Sequence, residues 1–117
     1  MILAAGLTPA WQQILTFPSV AVGEVNRARS AEWCASGKVL NVGCALHFLG
    51  ANSTTLCPIG GNSGDLIRND FSRLQIPVRW VKTDSETRIC TTIIDESTGR
   101  TTELVENSRS MTPSELD

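Results

Sequence analysis

Beyond Gly37 the chain switches repeatedly between helical and extended hydrophobic patterns, and this alternation restricts its fold more than any other feature. In "KVLNVGCALHFLG", Val42, Ala45, Leu46 and Leu49 fall at i, i+3, i+4 and i+7, the spacing of one apolar helix face, and Gly50 supplies a stop. "STTLCPI" follows as a run of β-favouring residues. "GGNSGD" then turns into a second helix, where Ile67, Phe71 and Leu74 repeat the stripe until Pro77. "VRWV" reads as a short strand. Upstream, "MILAAGLTP" has the apolar run of a buried strand, closed by Thr8-Pro9 because a central strand does not pass through proline. Strand, helix, strand, helix, strand predicts right-handed crossovers in a parallel sheet, an α/β fold.

Other segments carry a half-exposed pattern. From Phe17 to Cys34, partial two-residue alternation (Val20, Val22; then Val25, Arg27, Arg29) predicts short strands around a turn at Gly23. Arg88 to Ile94 and Thr101 to Val105 read as a hairpin around "DESTGR". These strands are expected to form a second, smaller sheet. The expected division is a core over about 1–10 and 39–85, second-sheet strands over about 11–38 and 86–106, and the start of a further helix at 107–117. In that last segment Thr112 suits a cap, Pro113 the first helical position and Glu115 a capping box. A helix that stops inside its first turn is not stable alone, so a longer parent protein is expected.

Composition narrows the class. At 117 residues, 41% hydrophobic and 19% charged, the chain suits one globular domain. A net charge of −2 without a basic run predicts neither a nucleic-acid nor a membrane-surface partner. The apolar start has no Lys or Arg before Arg27, so no secretory leader is expected. No stretch nears the ~18 apolar residues of a membrane span. Cysteines 34, 44, 57 and 90 form no CxxC pair, and reduced thiols in a cytoplasmic protein are expected rather than a disulfide framework. His47, the sole histidine, has no metal partner in the pattern and reads as structural, and Trp11, Trp33 and Trp80 read as packing residues.

Candidate binding residues cluster at the first helix start. Lys38 opens that helix although its charge opposes the positive end of the helix dipole. Either it is an ordinary exposed lysine or an anionic ligand balances it. A helix start offers free N–H donors, lysine adds a point charge for phosphate, and Asn41 can donate and accept one turn on. "GGNSGD" fits neither GxGxxG nor a P-loop, so it does not indicate a nucleotide site.

Taken in order, "LTPAWQ", "GEVNRA", "SGKVLNV", "LG", "GGNSGD" and "ETRIC" resemble the N-terminal third of the PfkB, or ribokinase-type, sugar kinases, within which fructose-1-phosphate and tagatose-6-phosphate kinases are the nearest in pattern. The resemblance implies a three-layer α/β core with a small β-sheet lid, and transfer of the ATP γ-phosphate to a sugar hydroxyl. It implies that Gly37, Lys38 and Asn41 match the segment Gly-Gly-Lys-Gly-x-Asn, which touches the sugar, and that Arg27 and Arg88, placed on lid strands, hold the phosphate already on the substrate. The other reading of the two arginines is a pair of solvated strand residues. ATP and Mg2+ are implied for a full-length member and neither for this chain alone, because the catalytic Gly-Ala-Gly-Asp lies further downstream; Gly64-Asp65 is not that motif. A homodimer through lid strands is also implied.

The pattern departs from the family at named places. Gln12 stands where members often carry an aspartate for sugar hydroxyls. Ser36 and Val39 replace two glycines, and valine is costly at positive φ, so Val39 must already be helical or the loop must differ. "ENSRS" stands for Asn-x-Gly-Pro. The expected function is the substrate side of a sugar-phosphate kinase, inactive by itself. The alternatives are a non-catalytic sugar-binding or interaction module, and a nucleotide-binding fold of unrelated function.

Overall fold

The computed structural model describes residues 1–108 and 112–116, so the ends of "ENSRS" and "SMTPSELD" at 109–111 and 117 lie outside the described residues. In chain order the elements are β1 (Ile2–Ala5), β2 (Ala10–Phe17), β3 (Ser30–Ser36), α1 (Lys38–Phe48), β4 (Ser53–Ile59), α2 (Gly61–Arg73), β5 (Val78–Lys82), β6 (Ile89–Asp95), β7 (Arg100–Val105) and α3 (Pro113–Leu116). They make an α/β fold. Strands β1, β4 and β5 form a parallel sheet in the order β1-β4-β5, and the others form a mixed sheet in the order β3-β2-β6-β7. In the mixed sheet β2 runs parallel to β6, and both outer pairs are antiparallel.

The core gathers Val39 and Leu40 of α1, Cys57 and Ile59 of β4, Ile67 and Phe71 of α2, and Ile76. Trp80 closes on Phe71 edge to face at 5.7 Å. Trp11 of β2 also packs on this cluster and stacks on Trp33 at 5.9 Å, so one residue fastens the mixed sheet to the core. Asp70 adds a polar tie, accepting the Ala35 N–H at 3.1 Å and an Arg73 N–H at 2.6 Å. Both long helices end in the Schellman arrangement: the Ala51 N–H bonds the Leu46 carbonyl after α1, and the Ile76 N–H bonds the Phe71 carbonyl after α2.

Several expectations need correction. β1 is not a buried strand: only Ala4 is buried, while Ile2 and Leu3 are 48% and 60% exposed, because β1 is an edge of its sheet. Proline does enter the central strand β4, at Pro58. Its β1 neighbour has ended by then, since the register stops at Ala5 opposite Leu56. The missing N–H therefore faces no strand, and the sheet loses no bond. The expected strands around Gly23 are a loop over 18–29 instead. The turn at Gly23 exists (φ 83°), but Val22 and Val25 are 98% and 83% exposed. The Asn26 side chain organises this loop by bonding the Ala21 N–H and the carbonyls of Ala21 and Glu24. Finally, α1 buries Val39, Leu40 and Gly43 rather than the Val42–Leu49 stripe; Val42 is 51% and Leu49 83% exposed. Contact with the sheet is made where the helix is thinnest: a Cβ on Gly43 would lie 1.9 Å from the Thr55 hydroxyl oxygen.

Candidate functional site

The segment Leu7–Pro9, which carries the chain from the parallel sheet into the mixed one, is the meeting point of Gly37, Lys38 and Arg88. Gly37 lies against it from the α1 side. Its φ is 92°, and a Cβ there would sit 2.7 Å from the Thr8 carbonyl oxygen and 2.9 Å from Pro9 Cα. Glycine is required at 37 by this close approach of the chain to itself as well as by the dihedral. Val39 is helical and buried, which settles how valine is accommodated there.

Arg88 reaches the same segment from the β6 side. Its guanidinium donates to the carbonyls of Thr8 (3.1 Å), Pro9 (3.3 Å) and Glu106 (3.5 Å). Arg88 precedes β6 rather than lying on a strand, so its expected strand placement is corrected. It closes one wall of a cleft of about 260 Å³, lined also by Asn62, Ser63, Glu86 and Thr87. Gly6 and Thr8 line the open groove that contains Lys38, while Leu7 and Pro9 line a hollow beside Arg88. The two sites thus share one short wall.

The two long helices start differently. No side chain caps α1 and no acidic residue occupies its first turn, so the exposed Lys38 and Asn41 stand at an uncapped helix start. At α2 the Glu86 carboxylate accepts the Asn62 N–H at 3.0 Å, and the Thr87 hydroxyl accepts the Gly60 N–H at 3.0 Å. One helix start is filled by the chain's own carboxylate, and the other presents positive potential to solvent. The Glu86 charge would repel a phosphate at the glycine-rich start of α2, so that segment does not fit an ATP site. Among the described residues no group of three or more His, Cys, Asp or Glu is placed to hold a metal.

Gln12 lies on β2, opposite Cys34 of β3 and Cys90 of β6. Its amide nitrogen donates to the Thr92 hydroxyl at 2.6 Å, and Thr92 donates to the Glu103 carboxylate at 2.8 Å. Arg27 is not on a strand; it lies exposed in the 18–29 loop, with no side-chain hydrogen bond or ion pair among the described residues. The structure brings Gly37, Lys38 and Arg88 around one segment and leaves Arg27 apart. Sequence reasoning missed Glu86, whose cap is long-range and has no local signature. It also missed Thr92 and Glu103, although pairing Asp95 with Arg100 across the hairpin already places them opposite each other.

All four cysteines are free thiols. Burial pushes Cys57 up to about 12, and burial together with the Asp70 charge raises Cys34 and Cys44. These are weak nucleophiles at neutral pH. No helix among the described residues is long and apolar enough to cross a membrane.

Comparison with known proteins matches the fold of this chain. Phosphofructokinase-2 from Escherichia coli, solved with fructose-6-phosphate, superposes with a TM-score of 0.92 at 22% identity over 98% of this chain and 38% of that one. Its tetrameric inhibited form gives 0.89 over the same shares. A protein described as a possible 1-phosphofructokinase from Thermotoga maritima gives 0.88 at 25% identity, over 99% of this chain and 38% of that one. The chain therefore spans a little over a third of the length of these proteins. The model of the pfkB family carbohydrate kinases matches residues 11–116, nearly the whole of the sequence, and the chain belongs to that family.

Proposed function

We infer that this chain is the substrate side of an ATP-dependent carbohydrate kinase acting on a sugar phosphate. The observation that carries the reading is the convergence on Thr8–Pro9 of the Gly37–Lys38 helix start from one side and the Arg88 guanidinium from the other. The open α1 start, with Lys38, supplies positive potential, and Asn41 offers a donor and an acceptor to hydroxyls. Arg88 serves the phosphate already present on the sugar. Its Nη1, held only by the longest of its contacts at 3.5 Å, is the arm with least to give up. Arg27 can share that phosphate only if the 18–29 loop folds over the cleft. The mixed sheet acts as a lid, and its exposed Trp33, Leu104 and Val105 suit pairing with a second copy. Free thiols fit a cytoplasmic setting.

In this reading the catalytic base and the ATP site belong to sequence beyond this chain, so it is inactive by itself. The test combines the purified 117-residue chain with Mg·ATP, fructose 1-phosphate and tagatose 6-phosphate, and measures ADP. No turnover is expected here, whereas a longer product of the same reading frame is expected to turn over. Absence of turnover in the longer product would favour a binding module, and turnover by the short chain would overturn the assignment of the base elsewhere.

A further inference from the structure

The hydrogen bonds across the mixed sheet fix the direction of one side chain. Ionised Glu103 is an acceptor only, so the single proton of Thr92 goes to it over 2.8 Å. The Thr92 oxygen must then accept from Gln12, whose nitrogen lies 2.6 Å away. The Gln12 carbonyl oxygen is turned away from Thr92, together with the second amide proton. No other side-chain bond of Gln12 occurs among the described residues. Gln12 lies two residues past Ala10, roughly 7 Å along the strand from the Gly37 contact. Cys90 faces Gln12 across the sheet, and Arg88 precedes Cys90 by the same two-residue step.

We propose that Thr92 and Glu103 are positioning residues that set the sugar preference of this site, by holding Gln12 as a neutral hydroxyl-binding group with its carbonyl oxygen toward the ligand. The proposal rests on the sugar-phosphate reading and deepens it. It also accounts for the amide at a position where family members often carry a carboxylate. A carboxylate at 12 would face a hydroxyl whose proton is already committed to Glu103, leaving two negative groups around one proton. Glutamine and Glu103 are therefore a matched pair. With a neutral acceptor the site loses the strong pull of an aspartate on two adjacent hydroxyls, and discrimination passes to which single hydroxyl meets the fixed carbonyl.

Two measurements on the whole chain test this. The first compares the Gln12 side-chain amide signals by nuclear magnetic resonance, without ligand and at one pH, in the wild type and in Thr92→Val, Thr92→Ser and Glu103→Ala. They are expected to move in Thr92→Val and Glu103→Ala and to stay near their wild-type positions in Thr92→Ser. Signals unchanged in Glu103→Ala would overturn the relay. The second is the ratio of affinities for fructose 1-phosphate and tagatose 6-phosphate by calorimetry. Thr92→Val and Glu103→Ala, which remove the hydroxyl and its acceptor in turn, are expected to change that ratio by on the order of tenfold, the loss of one hydrogen bond. Thr92→Ser, which keeps the hydroxyl, is expected to restore it. An unchanged ratio in Thr92→Val, with binding retained, would overturn the role in specificity. If the wild type bound neither sugar phosphate, the functional reading would fail and the specificity role with it, while the ligand-free comparison of variants still decides the relay.

Discussion

Gln75 is the sole non-glycine residue in the left-handed region among the described residues, at φ 58°. It occupies the position after the α2 C-cap where glycine is usual, because the Schellman bond from the Ile76 N–H to the Phe71 carbonyl closes over a left-handed residue. A side chain there costs roughly 1–2 kcal/mol, partly offset by the extra unfolded-state freedom of glycine. Gln75→Gly is therefore expected to stabilise the protein by about 0.5–1 kcal/mol in urea unfolding. At the proposed site, Lys38→Met should weaken sugar-phosphate binding by about 1.5–3 kcal/mol, the range for a charged hydrogen bond. It should leave the matching unphosphorylated sugar nearly unaffected, and calorimetry with both ligands separates the two cases. Lys38 itself could be read from the sequence, since a lysine at a helix start is a local anomaly. Arg27 was misplaced because alternation of Val and Arg over a few residues mimics a strand, and only the bonds that the Asn26 side chain makes back to Ala21 and Glu24 reveal a loop.

At the scale of elements, α2, β4, β5 and the β6–β7 hairpin were legible because their period, caps and turn residues lie within a few positions of one another. The face of α1 was not. Its largest apolar residues face outward and its contact is made by Gly43, a residue without hydrophobic signal. Gly43→Ala should consequently destabilise the protein by about 1–3 kcal/mol, as overpacking does, although alanine is the better helix former. Relief by Thr55→Ser would leave the cost intact, because the clash is with the hydroxyl oxygen, whereas Thr55→Ala should recover much of it. The hairpin carries a pH dependence. Asp95 accepts bonds from the Ser97 hydroxyl and N–H and from the Val20 N–H, and the Ser97 hydroxyl above all holds its carboxyl below the usual range. A carboxyl depressed in the folded state contributes stability above its unfolded value of about 3.9 and loses it as pH falls through the lower folded value. The stability difference between wild type and Asp95→Asn is expected to be present at neutral pH and to shrink on acidification below that range.

The whole molecule is two sheets joined through Leu7–Pro9, Trp11 and Arg88, with an apolar edge at β1. Alternating strand and helix patterns made the parallel sheet readable, but not which strand lies at its edge, since an apolar run looks alike in a central and in an uncovered strand. Ile2 and Leu3, with Val42 and Leu49 on the outer face of α1, leave apolar surface in solvent. At high concentration the 117-residue chain is expected to self-associate through the open β1 edge, and Leu3→Lys is expected to reduce the larger species in sedimentation velocity. A wild-type chain that stayed monomeric throughout would remove that edge as a driver.

The central claim is that one anionic sugar ligand bridges the α1 start and Arg88 across Thr8–Pro9. Backbone amide shifts of the labelled 117-residue chain, recorded while fructose 1-phosphate or tagatose 6-phosphate is added, test it most directly. The perturbed amides are expected to fall at Thr8, at Ala10–Gln12, at Gly37–Asn41 and at Arg88–Cys90, with the Arg88→Ala variant losing the response to the phosphorylated sugar. Perturbation confined to other parts of the chain, or none at millimolar ligand, would contradict it.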